Sequence, residues 1–128
     1  MAGASILVVD DNPVNSKLAR VVLTGAGFVV RTAADATEAL ARIAEDRPAL
    51  VLMDIQLPGM DGLELTRRLK GDPVTREIVV IALTAYAMKG DDERARAAGC
   101  DDYVAKPLDI DRLPRLVAEH IARVSQAG

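Results

Sequence analysis

Short apolar runs alternate with amphipathic segments along the chain, and this alternation predicts the fold. The apolar runs, rich in Val, Ile and Leu, lie at residues 6–9, 28–32, 50–54, 78–83 and 103–104. Apolar residues recur at helical spacing in the segments that follow each run, which begin near residues 13, 36, 62, 87 and 111. The pattern therefore predicts five β-strands alternating with five α-helices.

Two of the runs, 50–54 and 78–83, are apolar almost without interruption. Short runs of this kind are typical of strands that are buried on both faces of a parallel sheet. Strands alternating with helices predict a doubly wound α/β domain, in which helices cover both faces of the sheet. Because crossover connections are right-handed, the carboxyl ends of all these strands should meet at one edge of the sheet.

Local signals place some of the helix boundaries. Asn12 before Pro13 indicates the start of the first helix, because Asn caps helices and Pro suits the first helical position. Pro114 would remove an interior hydrogen bond from a last helix that began at Asp109, so we expect that helix to begin late or with an irregular first turn. The segment 87–98 has a weak apolar stripe, and its helix should therefore be the least firmly docked.

Composition and charge exclude several classes of function. With 16 Lys and Arg against 19 Asp and Glu, the net charge is −3, and no basic stripe favours nucleic-acid binding. Aromatic residues make up 2% of the chain, too few for a base-stacking surface. The single cysteine, Cys100, cannot form an internal disulfide, and no apolar run approaches the roughly 20 residues that span a bilayer. The first residues also lack the basic segment of a signal peptide. We expect one cytoplasmic domain that binds neither membrane nor nucleic acid.

Polar side chains follow the predicted strands at their carboxyl ends: Asp10, Asp11, Asp54, Thr84 and Lys106. Each has an ordinary explanation by itself, as a helix cap, a turn residue or a strand end. Together, three carboxylates at one sheet edge repel each other unless a cation is present, and oxygen ligands without Cys or His suit Mg²⁺. A carboxylate can also act as a nucleophile and form an acyl phosphate, with Lys106 and the Thr84 hydroxyl binding the phosphoryl oxygens. The set indicates reversible phosphorylation of Asp54.

The residues at these strand ends also resemble those of a known family. The similar segments are Val8-Val9-Asp10-Asp11-Asn12, Leu52-Met53-Asp54-Ile55-Gln56-Leu57-Pro58-Gly59-Met60-Asp61-Gly62, Leu83-Thr84-Ala85 and Lys106-Pro107. They resemble the receiver domain of two-component response regulators, and segments 54–58 and 84–91 are most similar to the single-domain DivK type. The resemblance implies the flavodoxin/CheY-like fold, with a five-stranded parallel sheet in the order 2-1-3-4-5. It implies one receiver domain over residues 1–128, with a core from about 5 to 124 and a short flexible C-terminal tail.

The resemblance implies a metal site and a phosphoacceptor. Asp54 is the expected phosphoacceptor, and Asp10 and Asp11 form the acidic pair that holds Mg²⁺. Asp11 and Asp54 would bind the ion directly, Gln56 through its backbone carbonyl, and Asp10 largely through water. Gln56 also lies two residues past Asp54, where receivers commonly tune the lifetime of the phosphate.

The resemblance assigns the remaining site residues to phosphate binding and switching. Lys106 is the expected phosphate-binding ammonium, and the bond between Lys106 and Pro107 is expected to be cis, since proline lowers the free-energy cost of a cis bond. Thr84 is the switch hydroxyl and Tyr103 the aromatic residue that changes rotamer. Tyr86, two residues past Thr84, is a second position that tunes phosphate lifetime.

The function implied is phosphorelay signalling. A sensor histidine kinase or a histidine phosphotransfer protein would pass a phosphoryl group to Asp54, and the face formed by the fourth helix, fifth strand and fifth helix would then change its partner binding. With no output domain in 128 residues, the signal is expected to reach a downstream protein target. We expect a monomer or weak dimer, and no enzyme activity beyond self-catalysed phosphorylation and dephosphorylation of Asp54.

Two alternatives stay open on the sequence. In a Mg²⁺-dependent phosphohydrolase, the aspartyl phosphate would be an intermediate of turnover, but such enzymes often carry a second Asp two residues after the first, where this chain has Gln56. A receiver-like binding module would act without phosphorylation. The complete set of polar strand ends argues against that module.

Overall fold

The computed structural model describes residues 3–57, 59–84, 91–105 and 109–127, without the side chains of 91, 92 and 124–127. In this part of the chain, strands and helices alternate as the apolar pattern predicts. The strands are β1 (Ser5–Val9), β2 (Val29–Ala33), β3 (Leu50–Asp54), β4 (Val79–Thr84) and β5 (Asp102–Ala105). The helices are α1 (Pro13–Gly25), α2 (Ala36–Glu45), α3 (Gly62–Gly71), α4 (Asp91–Ala98) and α5 (Arg112–Ala127). None of the helices, within the described residues, is long and apolar enough to cross a bilayer.

The strands form one parallel sheet in the order β2-β1-β3-β4-β5, which confirms the expected topology. Every residue of β3 and β4 is buried, in agreement with their uninterrupted apolar sequences. Asp54 at the end of β3 pairs in register with Leu83 of β4, one residue before Thr84. The carboxyl ends of the central strands therefore lie side by side.

Side chains alternate between two hydrophobic clusters, one on each face of the sheet. The first cluster contains Leu7, Val9, Val51 and Met53 from the strands and packs against α2, α3 and α4. The second cluster contains Ile6, Val8, Leu50 and Leu52 and packs against α1 and α5. Burial of each such side chain contributes about 1.5–3 kcal/mol, so the central strands account for much of the apolar burial among the described residues.

Polar side chains cap the helices at the carboxyl edge of the sheet. The Oδ1 atom of Asn12 accepts a hydrogen bond from the Val14 N–H at 2.9 Å. Asp61 caps α3 in the same way, because its Oδ1 accepts from the Glu64 N–H at 2.8 Å. Caps of this kind contribute about 1 kcal/mol each. They fix the points where the chain turns from the sheet edge into a helix.

The last helix begins late, as Pro114 predicts. The Asp109 Oδ1 atom accepts from the Arg112 N–H at 3.1 Å, and the Asp109 carbonyl accepts from the Leu113 N–H at 2.9 Å. Pro114, the third residue of α5, has no N–H with which to continue this i→i−4 bonding, so the turn before Arg112 is irregular and the regular helix begins at Arg112.

Helix α4 buries little apolar surface. Among its described side chains, Ala95 and Ala98 are buried, and both are small. This composition agrees with the expectation of weak docking. Residues 87–90, where the helical pattern was expected to begin, lie outside the described residues.

Gly62 allows α3 to start against the backbone of Asp54. A Cβ atom at Gly62 would lie 2.1 Å from the Asp54 carbonyl oxygen, well inside any tolerable contact. The Gly62 N–H donates to the Ile55 carbonyl at 2.9 Å, which holds the helix in this position. Gly71, at the other end of α3, has open space around the corresponding position.

One polar pair joins α5 to β5. His120 Nε2 lies 2.8 Å from Asp102 Oδ2, and His120 is only 8% exposed. Burial acts to raise the pKa of Asp102, but hydrogen bonds from His120 and from the Tyr103 N–H, with the positive charge of Arg112, outweigh it. The pKa of Asp102 is therefore lowered from its ordinary value of 3.8.

We predict opposite effects of alanine at the two glycines of α3. Gly62→Ala should destabilise the fold by about 1–3 kcal/mol, because the Asp54 backbone cannot move without disturbing a buried strand. Gly71→Ala should be neutral or stabilising by up to about 1 kcal/mol, since alanine reduces the entropy of the unfolded chain. Urea unfolding of both variants provides the measurement. Equal effects at the two positions would contradict the close approach at Gly62.

We also predict a pH-dependent contribution from Asp102. Since its pKa is lower in the folded than in the unfolded state, the ionised group stabilises the fold above pH 3.8, and this stabilisation is lost as pH falls through the folded-state pKa. Asp102→Asn should therefore be less stable than the natural chain at neutral pH, and the difference should shrink in acid. Urea midpoints measured across that range provide the check, with exposed Asp46→Asn as the control. A difference that stays constant with pH would contradict the assignment.

Candidate functional site

Three carboxylates meet at the carboxyl edge of the central strands. Asp10 and Asp11 directly follow β1, and Asp54 ends the adjacent strand β3. One carboxylate oxygen from each residue lies within 4.8 Å of the others. Asp10 and Asp54 are 3% and 4% exposed, whereas Asp11 is exposed to solvent. The structure thus brings together the three acidic residues that the strand pattern predicts at one rim.

Backbone groups orient the two buried carboxylates. The Asn12 N–H donates to Asp10 Oδ1 at 2.9 Å, and the Gln56 N–H donates to Asp54 Oδ1 at the same distance. Hydrogen bonds from backbone N–H groups to ionised oxygens are roughly twice as strong as neutral ones. Each carboxylate is therefore held by the loop that follows its own strand.

Thr84 lies on the same rim, and Tyr103 lies one strand further along the sheet. Thr84 is the last residue of β4 and is 4% exposed. Tyr103 is half-buried and packs against the first cluster, on the α3 and α4 face of the sheet. Three further expected site residues, Tyr86, Lys106 and Pro107, lie outside the described residues, as does the expected cis bond.

The acidic cluster is compatible with Mg²⁺. Opposite ligands of an octahedral Mg²⁺ ion are about 4.2 Å apart, twice the ligand distance of about 2.1 Å. A set of oxygens within 4.8 Å of one another needs only small side-chain movements to reach that geometry. The exposed position of Asp11 leaves the cluster open to the waters that Mg²⁺ usually retains.

Two residues near the site carry roles that the strand-end pattern does not reveal. Gly62 lets the start of α3 approach the Asp54 backbone, and the Asn12 backbone holds Asp10 as well as starting α1. The turn sequence Asp61-Gly62 indicates that Gly62 lies at a tight turn, and so hints at its role. Nothing in residue type marks the second, because the group involved is a backbone N–H.

Comparison with known sequences agrees with this geometry. The response regulator receiver domain family matches residues 6–118. The polar-differentiation response regulator DivK of Brucella anthropi is 44% identical over 117 residues, which cover 91% of this chain and 95% of that protein.

Solved structures show the same fold. A response regulator receiver domain protein (CheY-like) from Methanospirillum hungatei JF-1 has a TM-score of 0.91 at 30% identity, covering 99% of this chain and 100% of that one. A putative response regulator from Chloroflexus aurantiacus J-10-fl has a TM-score of 0.90 at 34% identity, covering 94% of this chain and 98% of that one.

These matches favour neither the phosphohydrolase nor the phosphorylation-independent binding module. Receiver domains interact with histidine kinases or phosphotransfer proteins and with downstream targets. The chain belongs to the response regulator receiver domain family of two-component phosphorelay signalling, and within that family it is DivK-like.

Proposed function

We propose that the chain acts as a single receiver domain over residues 1–128 and accepts a phosphoryl group on Asp54. The observation that carries this proposal is the acidic cluster, with carboxylate oxygens of Asp10, Asp11 and Asp54 within 4.8 Å of one another. Three carboxylates, two of them buried, repel one another unless a cation binds between them, and a bound cation can in turn hold a phosphoryl oxygen.

In the proposed reaction, Asp54 is the nucleophile. A carboxylate oxygen attacks the phosphorus of a phosphohistidine, the P–N bond breaks, and its electron pair returns to the donor imidazole. The product is an acyl phosphate on Asp54. The Gln56 N–H, which donates to Asp54 Oδ1, would hold the carboxylate in orientation for the attack.

The acidic cluster would hold Mg²⁺ for this reaction. Asp11 and Asp54 would be direct ligands, with the Gln56 backbone carbonyl, and Asp10 would act largely through water. When bound, the ion would neutralise charge on the phosphoryl oxygens. Lys106 would supply a second positive charge to the same oxygens, and its bond to Pro107 would be cis.

Thr84 and Tyr103 would convert phosphorylation into a change of surface. The phosphoryl group adds close to two negative charges, and the Thr84 hydroxyl would move towards them. Tyr103 would then repack into the space that Thr84 leaves, which changes the face formed by α4, β5 and α5. Gln56 and Tyr86 would tune how long the phosphate persists.

The partners follow from this chemistry. The chain would act in the cytoplasm, where a sensor histidine kinase or a histidine phosphotransfer protein would donate the phosphoryl group and a downstream protein target would bind the changed face. The chain would be a monomer or weak dimer. Its chemistry would be limited to its own phosphorylation and dephosphorylation.

We predict that the natural chain gains one phosphoryl group from acetyl phosphate when Mg²⁺ is present, and that Asp54→Asn gains none. Loss of the nucleophile removes the reaction, and chelation of Mg²⁺ should slow it in the natural chain. Intact-mass spectrometry measures the adduct directly.

Asp61→Asn is the matched control, because it removes a neighbouring negative charge outside the cluster while Asn still caps α3. This variant should be labelled like the natural chain. Persistent labelling of Asp54→Asn would overturn the proposal. Rapid multiple turnover of small phosphate esters, instead of a stoichiometric adduct, would point to a hydrolase.

A further inference from the structure

His120 and Asp102 form a partly buried hydrogen bond between α5 and β5. Neither residue has a role in the proposed reaction. His120 is 8% exposed as a residue, and its Nε2 atom lies 2.8 Å from Asp102 Oδ2. Because a carboxylate can only accept, Nε2 must carry the proton and donate, whether the ring is neutral or charged. The contact therefore fixes the tautomer of His120 as well as its position.

The same carboxylate also holds the backbone of Tyr103. Asp102 Oδ1 accepts from the Tyr103 N–H at 2.8 Å, while Oδ2 faces His120. The Tyr103 side chain packs into the first cluster on the opposite face of the sheet. Asp102 thus connects the strand at Tyr103 with a side chain on α5.

Apolar packing and the charge of Arg112 also relate this strand to α5 within the described residues. Val104 packs into the second cluster, which includes Leu113 and Val117 of α5. Apolar packing is non-directional and tolerates sliding, whereas a hydrogen bond weakens steeply as its distance and angle change. The hydrogen bond between His120 and Asp102 therefore restricts sliding of α5 along β5 more tightly than the apolar packing does.

We infer that Asp102 and His120 form a link that passes a displacement of strand β5 at Tyr103 on to helix α5. The inference rests on the proposed function, in which Tyr103 is the residue that repacks. Both are positioning residues, since neither touches the acidic cluster. Lys70 of α3 pairs with Asp101, the residue before Asp102, at 2.8 Å, whereas Arg112 of α5 adds its positive charge to the surroundings of Asp102.

Two substitutions at His120 separate the link from ordinary packing. His120→Gln keeps an N–H donor at similar reach, whereas His120→Leu keeps bulk and removes the donor. The full chain of each is titrated with beryllofluoride and Mg²⁺, a phosphoryl mimic, and backbone amide shifts are followed by NMR. Amides of the loop around Gly62 report on the site, and amides of residues 112–121 report on α5.

In the natural chain and in His120→Gln, we expect both groups of amides to respond. In His120→Leu, the site amides should respond as before while the α5 amides lose most of their shift. An equal α5 response in His120→Leu would overturn the inference and leave the proposed function intact. Absence of any response at the site amides would overturn the proposed function, and the inference with it.

Asp102→Asn provides a second measurement if His120→Leu does not fold. The oxygen of the introduced asparagine can still accept from the Tyr103 N–H. Its NH₂ group can donate to His120 Nε2, so Nε2 no longer has to carry a proton. His120 is the only histidine in the chain, so imidazole ¹⁵N shifts report on this ring alone. We expect a loss of the Nε2–H tautomer and a reduced α5 response in Asp102→Asn. An unchanged tautomer with an unchanged α5 response would overturn the inference.

Discussion

The mutual repulsion of Asp10, Asp11 and Asp54 is the constraint on which the site depends. At 4.8 Å, and with an effective dielectric constant of about 20, two ionised groups repel by about 3.5 kcal/mol, and solvent screens the pairs that include the exposed Asp11 more strongly. The parallel sheet imposes this cost, because β1 and β3 are adjacent, buried and unable to move apart. The backbone N–H groups of Asn12 and Gln56 offset part of the repulsion. A divalent cation would offset more of it, and for this reason we propose the cluster as a Mg²⁺ site.

Much of the fold and of this cluster could be predicted from the sequence because both depend on short-range patterns. Uninterrupted apolar runs identified β3 and β4 as central strands, and Asn12-Pro13 and Pro114 located the starts of two helices. The cluster followed from topology, since parallel strands deliver their carboxyl ends to one edge. The roles assigned to the individual site residues stay predictions, and Lys106 and Tyr86 also lie outside the described part of the chain.

Contacts between residues far apart in the chain could not be predicted. His120 and Asp102 are separated by 18 residues, and no periodicity relates a helix residue to the first residue of an edge strand. The close approach of Gly62 to the Asp54 carbonyl is likewise set by the angle at which α3 leaves the sheet. Both contacts determine how helices pack around the site: α5 against β5, and α3 against the end of β3. They therefore bear on how a change at Asp54 would reach the surface.

The most direct test of the central claim is to locate the phosphoryl group on the chain. After transfer from a phosphorylated histidine phosphotransfer protein in the presence of Mg²⁺, borohydride reduction converts an aspartyl phosphate to homoserine, which peptide mass spectrometry can place. We expect homoserine at position 54, with Asp10 and Asp11 unmodified. Conversion at another carboxylate, or a phosphoryl group found on His120, would contradict it.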